Sequence, residues 1–371
     1  MIKGNESDLE SRLNLMNVSL SIASMTQIFQ VLNSKKVCAL RFFHWSRQSQ
    51  PEFYRNCDIC SLIVDNCGRR DDLGAMLCVL NDFRLSKVYL TQKAFGFLPA
   101  MVLSKALTEK SLSRVIDVLN KVGGSCAVSG FRALIEMLCV VGCFELAQFV
   151  IKKAGRKVSY YNILIRGMCL RCDFEGARKL LDEMRHVGCD PNAQSYNFIL
   201  GVLSRTDKIA EAREVFEDML ERGYLPNAIT FEILIYGMLR HSNLDIACEF
   251  LDRMTSFGIE PRLTTHAAFI RNYFAAQKYE EAYNYVVVSG EKYRQASNMM
   301  YSMLARLHRN KGNLSLSVNI LFEMINKGLK PYFPDYIKAL KHLWKSGRID
   351  LARDLEKRFS SLSLQPTTNT A

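Results

Sequence analysis

Two pairs of cysteines have a spacing that could bind a metal ion. Cys57 with Cys60, and Cys169 with Cys172, each form a Cys-x-x-Cys pattern, in which paired thiolates can bind zinc. Both pairs lie within or beside predicted helices, and they are far apart in the sequence. We therefore expect these thiols to be reduced and to pack among apolar side chains, with no metal bound.

Residues for catalysis are not arranged in any recognisable pattern. The sequence has no His-x-Glu followed by Pro-Cys-x-x-Cys, which a zinc deaminase needs, and no glycine-rich loop that could hold phosphates. The histidines show no zinc spacing, and no acidic cluster like that of a nuclease follows the repeated part of the chain. We predict that the chain is not an enzyme and uses no cofactor.

The composition favours an anionic partner. The 371 residues include 49 lysines and arginines against 37 aspartates and glutamates, which gives a formal net charge of +12. Such an excess is typical of proteins that bind nucleic acid or a charged membrane surface. The longest apolar stretches fall short of the roughly 20 residues that span a bilayer, so we expect no membrane insertion.

An internal repeat of 35 residues organises the middle of the chain. Residues 158–192, 193–227 and 228–262 align without a gap, and five landmark positions recur in all three units. These landmarks are Tyr161, Tyr196 and Phe231; Ala177, Ala212 and Ala247; Met184, Met219 and Met254; Gly188, Gly223 and Gly258; and Pro191, Pro226 and Pro261. A fixed period of this length is typical of stacked-repeat proteins.

The apolar spacing within a unit predicts two helices. In the second unit, apolar residues recur every three or four positions in two stretches, separated by the polar break 205–208. Gly223 can adopt the left-handed conformation after the second helix, and Pro226 prevents its continuation. Because such pairs expose an apolar face unless they are stacked, we predict an all-α fold, a right-handed superhelical solenoid of helix-turn-helix repeats.

The same register predicts further units on both sides. Residues 263–297 form a degenerate unit, because His266 occupies the aromatic position and the final methionine, glycine and proline are missing. We expect His266 to pack in the core and to bind no ligand. The predicted domains are an N-terminal segment and helical cap at 1–55, degenerate repeats at 56–157, repeats at 158–332, a partial repeat at 333–360 and a disordered tail at 361–371.

The sequence of each strong unit resembles a pentatricopeptide repeat of the plain 35-residue class. The resemblance is carried by Tyr-Asn-Ile-Leu-Ile-Arg-Gly-Met-Cys at 161–169 and by the landmarks that follow it. It implies a protein of plant mitochondria or chloroplasts that binds single-stranded RNA, about one base per repeat. The implied role is in processing, stability, splicing or translation of organellar transcripts, by occupancy of the RNA or by recruitment of other factors.

The family resemblance also implies which residues would read bases. In such repeats, the residue after the aromatic landmark acts with the last residue of the unit, and here these are Asn162 with Asn192 and Asn197 with Asn227. Two asparagines imply a pyrimidine, because an amide offers two donors and an acceptor to an unpaired base. In the third unit Glu232 and Arg262 depart from the pattern and imply no base. Asn192 and Asn227 have an alternative role as helix caps, since each follows a proline and precedes a helix.

Further RNA contacts follow from the same resemblance. The second residue of each repeat would sandwich bases with an apolar side chain, and only Ile229 and Met299 suit that role. Arg205 and Arg240 stand at a position that is often lysine in the family and would hold phosphates, with a strong dependence on salt. The equivalent residues of the other units are Leu170, Ala275 and Asn310, so the groove is expected to be only partly basic.

Two other functions remain open at the level of sequence. Helical solenoids also bind peptides, so a protein-binding scaffold in an organellar ribosome or RNA-processing complex is one alternative. A truncated or decayed family member is another. Residues 39–45 (Ala-Leu-Arg-Phe-Phe-His-Trp) are similar to a segment near the start of many plant members, which favours the mitochondrion over the chloroplast. The early acidic residues, Glu6, Asp8 and Glu10, are unlike a transit peptide.

Overall fold

The computed structural model describes residues 9–15, 20–99 and 109–363. The described residues are mostly helical, and no strand occurs in these three ranges. Residues 1–8, which include Glu6 and Asp8, lie outside them. The all-α class predicted from the sequence is confirmed.

The helices follow one another with short connections. The first ten are α1 (Leu9–Leu15), α2 (Ile22–Ser34), α3 (Leu40–Ser49), α4 (Cys57–Arg69), α5 (Leu73–Leu85), α6 (Glu109–Val122), α7 (Gly124–Val141), α8 (Phe144–Ala154), α9 (Val158–Leu170) and α10 (Phe174–His186). The next ten are α11 (Ala193–Arg205), α12 (Ile209–Glu221), α13 (Ala228–Arg240), α14 (Leu244–Ser256), α15 (Leu263–Ala275), α16 (Tyr279–Lys292), α17 (Arg294–Asn310), α18 (Leu314–Asn326), α19 (Phe333–Lys345) and α20 (Ile349–Ser363). Two short 3-10 helices, Pro51–Arg55 and Gln92–Phe95, lie among the early helices.

The chain divides into two compact units. Unit 1 is Met1–Ile199 and unit 2 is Leu200–Ala371, so the division falls within α11. None of the domain boundaries predicted from the repeat pattern lies at this position.

Unit 2 is a stack of helix pairs. Helix α13 packs against α14, α15 against α16, α17 against α18, and α19 against α20. The first helix of each pair also contacts the first helix of the next, along the series α13, α15, α17 and α19. This nearest-neighbour packing is that of a helical repeat solenoid, as predicted.

Unit 1 has the same kind of packing, with a covered beginning. Helix α9 packs against both α10 and the preceding first helix, α7, while α7 also packs against α8. At the start of the chain, α2 packs on α4, and α3 buries Phe42 and Phe43. The ring of Phe29 lies 5.8 Å from that of Phe42 and 6.3 Å from that of Phe43. Helices α2 and α3 thus cover apolar surface at the start of unit 1.

The repeated landmark side chains form the core. The aromatic, alanine and methionine landmarks of the three strong repeats are all at most 1% exposed. Alanine at this position leaves the two helices of a pair room to approach, and methionine fills the gap that remains near the end of the second helix. The landmark glycines, Gly188, Gly223 and Gly258, have φ angles of 70°, 78° and 72°. They end the second helix in the left-handed region, which a residue without Cβ adopts at little cost.

The degenerate repeat at 263–297 departs from this pattern. Its second helix, α16, continues to Lys292, and the next helix, α17, begins at Arg294 instead of at the predicted residue 298. The physical reason is the missing landmarks, since the glycine and proline positions hold Tyr293 and Ala296, which neither end one helix nor delay the next. At the other end of unit 2, α20 extends to Ser363, so residues 361–363 of the predicted tail are helical. Residues 364–371 lie outside the described part.

Helix α7 is long and apolar enough to cross a membrane by length and composition alone. It has 18 residues with a mean hydropathy of 1.5, whereas the sequence analysis expected no stretch of that length. Half of it is buried inside the protein, where Phe131, Leu134, Ile135 and Leu138 face the core. Its apolar character is therefore accounted for by packing against its neighbours, α6, α8 and α9.

Candidate functional site

The first helices of unit 1 surround a cavity of about 740 Å³. Its walls are α7, α9 and the start of α11, together with residues 90–92. Helix α9 contributes six residues, at positions 2, 5, 6, 9, 10 and 13 of its repeat: Ser159, Asn162, Ile163, Arg166, Gly167 and Leu170. Residues spaced three or four positions apart lie on one face of a helix, so this face of α9 is the one that lines the cavity.

The cavity is basic. Arg132, Arg166 and Arg171 line it, against a single carboxylate, Glu136. Arg171 donates a hydrogen bond to the backbone oxygen of Val140 at 2.6 Å, whereas Arg132 and Arg166 make no ion pair within the described residues. An anionic ligand would therefore find uncompensated positive charge here.

The structure links Asn162 and Asn192, the first predicted base-reading pair, through Ser195. The Ser195 hydroxyl donates to Asn162 Oδ1 at 2.6 Å, and it also lies 3.2 Å from Asn192 Oδ1. Asn192 Oδ1 accepts from the backbone nitrogen of Ser195 at 3.1 Å, and Asn192 N donates to Ser195 Oγ at 3.1 Å. Asn192 is therefore a helix cap, which is the alternative role that the sequence allowed. Asn162 is only 5% exposed, although it lines the cavity.

The second predicted pair is divided between the two units. Asn197, in unit 1, is 9% exposed, and its Oδ1 is buried without a hydrogen-bond partner in the described part of the chain. Asn227, in unit 2, forms a capping box with Thr230: its Oδ1 accepts from Thr230 N at 3.0 Å, and its own N donates to Thr230 Oγ1 at 3.1 Å. Asn227 thus has a structural role, whereas no contact explains Asn197.

Glu232 and Arg262 bind each other. Arg262 Nε donates to Glu232 Oε1 at 2.5 Å, and the second guanidinium nitrogen contacts Oε2. Thr265 Oγ1 adds a hydrogen bond to Oε1 at 3.3 Å, and Glu232 is 4% exposed. Hydrogen bonding to Glu232 raises the pKa of Arg262. The polar atoms that would meet a base in the third repeat are therefore already occupied by this ion pair.

The remaining predicted contact residues are accessible. Ile229 is 55% exposed on the first turn of α13. Arg205 and Arg240 are exposed at the last residues of α11 and α13, and neither makes an ion pair with any residue that the structure describes. These three side chains are free to contact a ligand.

Of the four candidate zinc residues, two are buried, Cys57 is half-buried and Cys172 is exposed. All twelve cysteines are free, and Cys60 and Cys169 are buried, which raises the pKa of each thiol to about 12. The described ranges contain no group of three or more His, Cys, Asp or Glu that could hold a metal ion. His266 is fully buried, with Nδ1 2.8 Å from the Tyr285 hydroxyl, and burial lowers the pKa of its ring to about 4.

Ser195 and Arg166 are site residues that the sequence analysis did not single out. Arg166 is the ninth residue of its repeat, and a comparison of that position between repeats would have found it. Ser195 is the third residue of the next repeat and lies 33 positions from Asn162. No spacing rule within one repeat could have predicted this contact.

Two family models match the middle of the chain. The PPR repeat family model matches residues 156–205 and 191–240, and the PPR repeat model matches residues 229–259. Together these matches cover residues 156–259, which are the three strong repeats except for the last three residues of the third.

Several curated relatives share this repeat. A mitochondrial pentatricopeptide repeat-containing protein of Arabidopsis thaliana is 26% identical over 209 residues, which are 54% of this chain and 42% of the relative. A second mitochondrial one is 28% identical over 207 residues, 53% of this chain and 39% of the relative. A small ribosomal subunit protein of the same plant is 23% identical over 208 residues, 52% of this chain and 38% of the relative. The chain spans less than half the length of these relatives.

Solved structures of a pentatricopeptide repeat protein also align with this chain. The maize pentatricopeptide repeat protein PPR10 aligns over 96% of this chain and 61% of its own, with 15% identity and a TM-score of 0.41. PPR10 in complex with an 18-nt psaJ RNA element aligns over 91% and 56%, with 17% identity and a TM-score of 0.44.

Proposed function

The chain belongs to the pentatricopeptide repeat family, and from this premise we propose that it binds single-stranded RNA along the exposed faces of its first helices. The observation that carries the proposal is the basic cavity of unit 1, where Arg132 and Arg166 have no ion-pair partner among the described residues. Phosphates would neutralise these arginines, and unpaired bases would meet the amide of Asn162 in the same cavity.

Base recognition is proposed for the asparagine pair of unit 1, Asn162 with Asn192, which would select a pyrimidine. In the third repeat, Glu232 and Arg262 would have to break a bidentate ion pair before either could contact a base, so we propose that this repeat reads none. Ile229 can still pack against a neighbouring base, because its side chain is exposed.

We further propose that the protein acts on transcripts of the mitochondrion by occupying RNA or by recruiting other factors. The names of two relatives place those proteins in the mitochondrion, and this supports the assignment.

A protein-binding scaffold is the second candidate function. Two observations favour it: the capping roles of Asn192 and Asn227, which account for these residues without RNA, and the similarity to a small ribosomal subunit protein. In this case the basic faces would contact an assembly that already contains RNA or acidic protein surfaces.

Binding to short labelled RNAs separates these functions. We expect Asn162→Ala to lower the preference for oligouridine or oligocytidine over oligoadenosine, whereas Arg205→Gln with Arg240→Gln should weaken all three RNAs alike. Asn192→Asp keeps the helix cap, because aspartate caps as well as asparagine. A carboxylate only accepts hydrogen bonds and suits the N3–H of uracil, so this variant should raise the preference for uridine over cytidine.

Two results of this experiment would contradict the proposal. If the wild-type protein binds none of these RNAs at low salt, the scaffold is the better function. If it binds them and Asn162→Ala leaves the order of affinities unchanged, base recognition by Asn162 is wrong.

A further inference from the structure

We propose that Arg271, Arg306 and Lys341 hold the phosphodiester backbone of single-stranded RNA across the part of unit 2 that reads no bases. The inference rests on the proposed function and extends it beyond Arg262. Each of the three is the ninth residue of its 35-residue unit, and they stand on the successive first helices α15, α17 and α19. None of them belongs to the predicted phosphate position, which is the thirteenth residue.

The ninth and thirteenth residues complement each other along unit 2. Arg205 and Arg240 are the basic residues at position thirteen, and their repeats have Gly201 and Tyr236 at position nine. In the next two repeats the order is reversed: position thirteen holds Ala275 and Asn310, and position nine holds Arg271 and Arg306. The last unit has lysine at both positions, Lys341 and Lys345. Every first helix from α11 to α19 therefore carries a cation at one of these two positions.

Both positions lie on the same face of a first helix. They are four residues apart, which is about one helical turn, so their side chains are neighbours. In unit 1 the ninth and thirteenth residues of α9, Arg166 and Leu170, line the same cavity. The equivalent residues of α13, α15 and α19 follow the same register, because these helices begin at the first residue of their repeats, as α9 does. Helix α17 begins four residues before its repeat, at Arg294, and its Arg306 lies next to Asp335 of α19.

The cations on these faces are largely uncompensated. Arg271 and Lys341 are exposed, and within the described residues they make no ion pair. Arg306 lies 3.8 Å from Asp335, but the same carboxylate is 3.3 Å from Arg309, so this group of three keeps a net positive charge. A row of accessible cations, of which only Arg306 has an acidic neighbour, is a surface that suits a polyanion.

Acidic residues are almost confined to the other helix of each pair. In unit 2 the first helices carry two acids, Glu232 and Asp335, and both are buried in contact with arginine. The second helices carry the ion pairs instead: Arg213 with Glu249, Arg253 with Glu217, Arg222 with Asp218, Lys327 with Glu323, and Arg358 with Asp354. The two faces thus differ in net charge, and only the first helices present free cations in a regular series.

A nucleic-acid backbone fits this series better than an acidic protein does. The cations recur once per repeat, and the family contacts about one nucleotide per repeat, so the period of the charges matches a polymer with one charge per residue. In these two repeats the base-reading positions hold Ala267 with Ser297 and Ser302 with Tyr332, and none of these side chains offers an amide to a base. Backbone contacts without base selection are what such units can supply.

The test compares the wild-type protein with the triple variant Arg271→Gln, Arg306→Gln, Lys341→Gln. Affinity for 20-nucleotide oligouridine and oligoadenosine is measured by fluorescence anisotropy over a range of salt concentrations. Each phosphate contact on a single strand contributes about 0.7 to the slope of log affinity against log salt, so the slope should become smaller by about 2. Both RNAs should lose affinity by the same factor, about 100-fold at 0.1 M salt.

Two controls keep the result interpretable. The variant Lys152→Gln, Lys179→Gln, Lys357→Gln removes the same charge from exposed positions of the second helices and should leave the slope nearly unchanged. The variant Arg271→Lys, Arg306→Lys, Lys341→Arg keeps the charges and should bind like the wild type. The inference is wrong if the wild type binds RNA but the glutamine variant has the same salt slope as the wild type. It is also wrong if the salt slope of the second-helix control falls by as much as that of the glutamine variant. Absence of wild-type binding would overturn the proposed function instead.

Discussion

Ser195 shows how a residue outside the predicted pair can control it. Its hydroxyl has one proton, and the two asparagine oxygens of the pair lie 2.6 Å and 3.2 Å away, so the shorter contact to Asn162 takes it. Ser195 also accepts from Asn192 N. The same side chain therefore fixes the helix cap and the orientation of the Asn162 amide, which leaves Nδ2 as the group of Asn162 that is free to donate to a base.

The caps at Asn192 and Asn227 could be foreseen, whereas the state of Asn162 could not. Capping depends on local order, with an asparagine after a proline and before a helix, and both residues cap as that pattern allows. The contact between Asn162 and Ser195 joins two repeats, and the ion pair of Glu232 with Arg262 joins residues 30 positions apart. Such contacts depend on how the helices stack, which spacing alone does not define.

His266 predicts a pH dependence of stability. Its pKa of about 4 in the folded protein lies below the ordinary value of about 6.5, because burial disfavours the charged ring. Between these values the unfolded chain binds more protons than the folded one, so the free energy of unfolding should fall as pH falls, by up to about 1.4 kcal/mol per pH unit. Denaturant unfolding at several pH values between 4 and 7 measures this change.

The matched variant is His266→Phe, which restores the aromatic landmark of the strong repeats. Phenylalanine has no proton to bind, so the variant should lose less stability than the wild type between pH 6.5 and 4. His308 also has a pKa lowered by burial, and it stays in both proteins, so the comparison isolates His266. Parallel pH curves for the two proteins would show that His266 does not titrate as expected.

At the level of helices, the sequence predicted most of the register. The first helices α9, α11, α13, α15 and α19 begin at the first residue of their predicted repeats, and only α17 does not. Apolar periodicity was sufficient there because each helix buries one face against its neighbours. Where the glycine and proline landmarks are missing, at the end of α16, the boundary shifted, since no residue ends the helix.

The turn between the two helices of a pair has a regular feature that the sequence analysis did not note. The fifteenth residue of each repeat has a positive φ: Cys172, Asp207, Ser242 and Gln277 have values of 59° to 60°, and Gly312 and Gly347 have values of 90° and 71°. The left-handed region costs a residue with Cβ roughly 1–2 kcal/mol. Four repeats therefore carry strain in this turn that the last two avoid.

Replacing Gln277 by glycine should stabilise the protein. The relief of strain exceeds the entropic cost of glycine in the unfolded chain, which is about 0.5–1 kcal/mol, so we expect a gain of up to about 1 kcal/mol in the free energy of unfolding. Gln277 is exposed, and the change removes no core contact. Gly312→Ala is the reverse control and should cost about 1 kcal/mol. A loss of stability in Gln277→Gly would show that the turn is not strained.

At the scale of the whole molecule, the net charge of +12 is not spread evenly over the helices. In unit 2 the second helices α12, α14, α16, α18 and α20 carry 15 acidic and 6 basic residues, whereas the excess of positive charge lies on the first helices. The pairs on the second helices are solvent-exposed, with side-chain exposures of 39% and 45% for Arg213 and Glu249, so each contributes little to stability. The second helices therefore present an acidic face and the first helices a basic one.

This distribution predicts that salt changes the stability of the fold little and weakens RNA binding strongly. Raising the salt concentration from 50 to 200 mM should change the unfolding midpoint little, because screening exposed ion pairs removes only small energies. Over the same range, five phosphate contacts on unit 2 would lower the affinity for single-stranded RNA roughly 100-fold. Thermal unfolding and fluorescence anisotropy on the same samples test both responses. RNA affinity that is indifferent to salt would mean that the free cations of the first helices do not face phosphates, and it would direct attention to the exposed apolar side chains, Ile229 and Met299, as the binding surface.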